Sequence, residues 1–174
     1  PVQGLGGLTV TEVRAQHDGA LALTDSGQVY SWGIGTLGAN GNGSQNDNLT
    51  AQLVQGLESV TVAQVIPRDS IGGPRRGGIA LTQNGTVYSW GLGNGYANGD
   101  NAIQNNLTAA LVQGLAGVRV AQVVAAGGIG GYALSDDGRV FSWGQDTNRR
   151  NADGSQFGNG ANRTALLAQG LVGV

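Results

Sequence analysis

One phrase is written three times along this chain: LALTDSGQVYSWG at Leu21 to Gly33, IALTQNGTVYSWG at Ile79 to Gly91, and YALSDDGRVFSWG at Tyr132 to Gly144. The tryptophans within it, Trp32, Trp90 and Trp143, stand 58 and 53 positions apart. A second marker, QGL, begins at Gln3, Gln55, Gln113 and Gln169, at intervals of 52, 58 and 56 residues. Two independent markers at one period define a repeat array, in which each unit is one supersecondary motif that buries its apolar face on its neighbours. The units run over about residues 3–54, 55–112 and 113–168, and a fourth begins at 169–174.

Each copy reads as β-structure. Thr11, Val13 and Ala15 alternate with Val10, Glu12 and Arg14, and the same segment returns as VTVAQV at Val60 to Val65 and VRVAQV at Val118 to Val123. The ALT or ALS segment and the VYSW or VFSW segment supply two more strands. Between them, Asp25-Ser26-Gly27, Gln83-Asn84-Gly85 and Asp136-Asp137-Gly138 place glycine where a tight hairpin needs positive φ. A polar Gly/Asn stretch follows each tryptophan, and after it the spacing leaves room for a short fourth strand or for one helical turn in NLTAQLVQGL. The 33 glycines and the 11% charged residues agree with an all-β chain.

The succession of strand, ALTxxGxVYSWG hairpin, Gly-rich polar loop and LVxGL resembles the repeat of the regulator-of-chromosome-condensation family, especially its bacterial members. The resemblance implies three RCC1-like propeller blades of four strands each, in a fold that commonly closes with seven and binds partner proteins through its loops. Two departures stand in every copy. The family's His-Ser pair is replaced by Gly19-Ala20, Gly77-Gly78 and Gly130-Gly131. Its Gln-Leu-Gly after tryptophan reads Ala39-Asn40-Gly41, Ala97-Asn98-Gly99 and Ala152-Asp153-Gly154, which puts a polar residue where a packing leucine belongs and predicts altered blade stacking. Three blades also leave two open edges, so the array is a partial propeller or open blade array, completed either by missing sequence of a longer protein or by self-association, since open edges invite pairing with another chain.

The composition argues against several functions. Nine arginines against 11 acidic residues give a net charge of −2, too little positive field to hold a phosphate backbone, so nucleic acid is not expected as a partner. No apolar run approaches the roughly 20 residues of a membrane span, so no membrane insertion is expected. With no cysteine and one histidine, thiolate chemistry is absent and a triad would have to use His17 with Asp18 or Asp25. Gly33-Ile34-Gly35-Thr36-Leu37-Gly38 spells a dinucleotide fingerprint, but the Gly/Asn run behind it does not start the helix that the pyrophosphate requires. Asp100, Asp146 and Asp153 supply oxygen ligands in the loops without any calcium-loop spacing. No catalytic residue, metal or cofactor is therefore expected.

The binding candidates are loop residues. Arg68, Asp69, Arg75 and Arg76 belong to an insertion found only in the second copy, which makes it the expected partner contact. Sequons occur at Asn42 and Asn84, and at Asn48, Asn106 and Asn162 in one repeat phase; the latter three are candidate glycosylation sites. The sequence thus predicts a non-enzymatic structural or interaction repeat, self-assembling through its open edges into a ring or filament, at the cell surface or outside the cell. The alternative is a partner-binding propeller of inhibitor or exchange-factor type, acting through the Arg68 to Arg76 insertion.

Overall fold

In a computed structural model that describes residues 1–69, 75–127, 129–145 and 160–169, three four-stranded antiparallel sheets follow one another along the chain. Blade 1 is β1 (Val10–Gln16), β2 (Gly19–Thr24), β3 (Val29–Gly33) and β4 (Asn48–Leu53). Blade 2 is β5 (Val62–Asp69), β6 (Arg75–Thr82), β7 (Val87–Gly91) and β8 (Asn106–Leu111). Blade 3 is β9 (Val120–Ala125), β10 (Gly130–Ser135), β11 (Val140–Gln145) and β12 (Ala161–Leu167). Strands that are neighbours in sequence are neighbours in the sheet, so every blade is an up-and-down meander.

The hairpin glycines act as expected: Gly27, Gly85 and Gly138 have φ of 78, 85 and 87°. The fourth strand, rather than a helical turn, occupies NLTAQL and NLTAAL. Alternate residues of each fourth strand must face the sheet stack, and Ala51, Ala109 and Ala165 do so as buried residues. The helical content of the described loops is two three-residue 3-10 turns, Thr36–Gly38 and Asn94–Tyr96.

Blades stack face to face, and the core lies between them. Leu21, Leu23 and Val29 of blade 1 pack with Val65, Ala80 and Trp90 of blade 2; Ile79, Leu81 and Val87 of blade 2 pack with Val123, Ala133 and Trp143 of blade 3. The period of two along each strand sends alternate side chains to opposite faces, so each blade offers one set to the blade before it and another to the blade after.

The QGL linker stitches the stack. Gln55 donates its N–H to Gly41 O of blade 1 and accepts from Ala109 N of blade 2, both at 2.8 Å, and Gln113 bridges Gly99 O (2.9 Å) and Ala165 N (2.8 Å) in the same way. Glycine must follow because a Cβ on Gly56 would lie 2.3 Å from Ala109 O, with φ already at +88°.

The two departures from the family pattern have local causes. Gly78 and Gly131 sit across the strand pair from Trp90 and Trp143, and a Cβ there would come within 2.3 and 2.4 Å of the indole Cζ2. Asn40 and Asn98 are fully buried, donate Nδ2 to Gly33 O and Gly91 O at 3.1 Å, and present their own carbonyls to Ser31 and Ser89 hydroxyls at 2.6 Å. The asparagine therefore closes the loop after the tryptophan by hydrogen bonding where a leucine would do so by apolar contact.

Candidate interaction surfaces

Arg68 overturns the expectation placed on it. Its side chain is fully buried, and the guanidinium donates to Ala97 O (2.6 Å), Trp90 O (2.7 Å), Asn98 Oδ1 (2.8 Å) and Leu92 O (3.0 Å). A rigid planar fork with five donors suits such a set of converging oxygens. It anchors the β5–β6 hairpin to the loop after Trp90 and has no exposed surface to offer a partner. The longer hairpin around it, two eight-residue strands against seven and six in blade 1, accounts for the insertion. Asp69 pairs in register with Arg75, which opens β6 together with Arg76; the hairpin tip lies outside the described residues.

Two of the candidate glycosylation sites are interior. Asn48 and Asn162 are each 5% exposed and donate Nδ2 to Ser31 O and Ser142 O. Asn106, half-buried, donates to Asp100 Oδ2 at 2.7 Å. At Asn48 and Asn162 the shared phase reflects a fourth-strand asparagine that ties β4 to β3 and β12 to β11, which leaves both side chains buried.

Of the remaining candidates, Asp100 and the glycine run after Trp32 are engaged in turn structure. Asp100 accepts from Ala102 N and Asn106, forming an Asx turn. Asp146 and Asp153 lie outside the described residues. Gly35 donates to Asp47 Oδ1, and Leu37 adopts φ 61° in the 3-10 turn, so the glycine fingerprint is a turn with no helix behind it. His17 Nδ1 meets Asp18 Oδ1 at 2.5 Å at the exposed β1–β2 tip.

What sequence reasoning did not single out is an apolar cleft on blade 1, formed by Pro1, Val2, Leu5, Val10, Val13 and Trp32. Val65 and Val123, which match Val13, are 0% and 1% exposed, whereas Val13 is 58% exposed. Trp90 and Trp143 are buried against the preceding blade, whereas Trp32 is only partly buried. Val13 and Trp32 are the first copy's counterparts of Val65 and Trp90.

These blades are those of a β-propeller repeat. No protein-family model matches the chain. Human E3 ubiquitin-protein ligase HERC2 is 36% identical over 135 residues, 78% of this chain and 3% of that protein. The RCC1-like G exchanging factor-like protein of Mus musculus is 35% identical over 138 residues, again 78% of this chain and 28% of the relative. Prp20p of Saccharomyces cerevisiae, the yeast RCC1, superposes with a TM-score of 0.74 over 93% of this chain and 39% of its own, at 16% identity. The chain belongs to the RCC1-like repeat family, and it spans less than a third of the length of these two curated relatives. The blades stack as in a solved RCC1 propeller, so the buried asparagine does not alter the stacking.

Proposed function

We propose that the chain is a non-catalytic protein-interaction repeat that self-associates through its blades. The observation that carries the interaction reading is that the polar side chains of the described loops serve the fold. The groups that chemistry would need are spent on the fold: Arg68, Asn40 and Asn98 on loop carbonyls, Ser31 and Ser89 on Asn40 and Asn98. Prp20p of Saccharomyces cerevisiae, which shares the fold, binds Gsp1p and histones, and this supports an interaction role.

A second reading, engagement of a different protein through the β5–β6 hairpin, is favoured by the Arg68 anchor, which fixes that hairpin on the blade. Sedimentation velocity over a wide concentration range tests the first reading. Association that rises with concentration is expected, and a single monomeric species throughout would remove it.

A further inference from the structure

Asparagine is followed by glycine at five places within the described residues: Asn40-Gly41, Asn42-Gly43, Asn84-Gly85, Asn94-Gly95 and Asn98-Gly99. Such a bond deamidates with water as the only reagent. The glycine nitrogen gives up its proton and attacks the asparagine Cγ; a C–N bond forms and the side-chain amide leaves as ammonia. Water then opens the five-membered succinimide at either carbonyl, leaving aspartate or isoaspartate. Glycine favours the attack because no Cβ stands in its way. In a folded chain two conditions decide the rate: the glycine N–H must be free of a hydrogen bond, and the asparagine side chain must be free to swing onto it.

Four of the five bonds fail on both counts. Gly41, Gly43, Gly85 and Gly99 donate their N–H groups to Gly38 O, Leu107 O, Thr82 O and Tyr96 O at 2.8 to 3.0 Å. Asn40 and Asn98 are buried and donate Nδ2 to Gly33 O and Gly91 O. Asn42 donates to Asn48 Oδ1 and Gln52 Oε1, and Asn84 Oδ1 accepts from the Thr82 hydroxyl and from Thr86 N.

Asn94 differs in both respects. It is exposed, and among the described residues its side chain makes no hydrogen bond. Gly95 is the second residue of the Asn94–Tyr96 3-10 turn, where an N–H precedes the first internal bond, and among the described residues it meets no acceptor.

We propose that Asn94 is a modification site: it deamidates in the folded chain ahead of the other four, and its isoaspartate loosens the junction between blades 2 and 3. Isoaspartate routes the main chain through the former side chain and so lengthens it by one carbon. The lengthening falls at a close approach. A Cβ on Gly95 would stand 2.9 Å from Gln145 Cβ of blade 3, and the ring of Tyr96 lies beneath the Arg163 guanidinium of the same blade, 4.9 Å from its carbon.

Peptide mapping by mass spectrometry, on the folded chain held in mildly alkaline buffer, reads each bond separately. Asn94 is expected to convert about tenfold or more faster than each of the other four, because those must first break hydrogen bonds or open locally. In urea, where the fold is lost, the five rates are expected to converge. Methyl transfer by an isoaspartate-specific carboxyl methyltransferase marks the branched product. Conversion of Asn42 or Asn84 as fast as Asn94 in the folded chain would overturn the site. The isoaspartate form, isolated by chromatography, is then compared with Asn94→Asp, which has the added charge without the added carbon. A lower urea midpoint for the isoaspartate form is expected, and equal midpoints would overturn the effect on the junction.

Discussion

Trp90 of blade 2 donates its indole N–H to the carbonyl of Ala39 in blade 1, 3.2 Å away across the blade boundary. The matching carbonyl in blade 2, Ala97 O, receives Arg68 Nη1 at 2.6 Å, and among the described residues the buried Nε1 of Trp143 has no hydrogen-bond partner. Two junctions built from one sequence pattern thus differ by a single donor.

That difference is measurable by removing the indole N–H. Trp90→Phe loses a buried hydrogen bond as well as packing volume, whereas Trp143→Phe loses volume and relieves an unsatisfied donor. Trp90→Phe is expected to be the more destabilising by about 1 kcal/mol, read from urea midpoints of the two variants.

Arg68→Met keeps much of the length of the side chain and removes all its donors. Four oxygens, Ala97 O, Trp90 O, Leu92 O and Asn98 Oδ1, lose a charged partner in the interior. A loss of about 3 kcal/mol or more is expected, together with faster amide exchange in the Leu92–Asn98 loop. Arg68→Lys, a single point charge without the planar fork, is expected to recover only part of the loss.

Gly78→Ala places a methyl 2.3 Å from the ring of Trp90, and neither the indole nor the opposing strand has room to retreat. A destabilisation of about 1–3 kcal/mol is expected, as for overpacking of a filled core, with a matching change in tryptophan near-ultraviolet dichroism. The first blade has Ala20 at this position, opposite the less confined Trp32. Ala20→Gly is therefore expected to cost less than about 1 kcal/mol.

The hairpin turn of blade 3 carries a pH signature. Hydrogen bonds from Arg139 and Ser135 hold the Asp137 carboxyl at about 2, below its usual 3.8. A carboxyl depressed in the folded state stabilises that state fully above the unfolded value, and the contribution disappears as pH falls from 3.8 toward 2. The stability difference between wild type and Asp137→Asn should therefore be present at pH 6 and vanish near pH 2, and an NMR titration of the Asp137 carboxyl should show the low midpoint.

Much of this was legible in the sequence. The hairpin glycines and the alternating apolar positions specify three strands per blade, because a turn's φ and a strand's two-residue period are local properties. The fourth strand was ambiguous. Asn48–Leu53 has no strong alternation, and what decides its conformation is pairing with β3 together with the contact of Gln3 O on Ala51 N. Arg68 was misassigned for a related reason: an arginine in an insertion looks exposed until the carbonyls of residues 22 to 29 positions later are brought around it. The sequons were ambiguous because the asparagine and threonine that define them also belong to the fourth strands. The Trp32 cleft was not legible, because it forms only when Pro1, Val2 and Leu5 are brought around the ring.

The stitch at the QGL linker bears on how such a chain changes over evolutionary time. Each sheet is complete within one period, and the peptide of Gln55 or Gln113 joins one blade to the next through main-chain groups alone. Duplicating or deleting a whole period leaves every strand pairing inside the surviving blades untouched and restores the same main-chain bonds at the new joint. A change in blade number by whole periods therefore needs no compensating substitution inside the blades that remain.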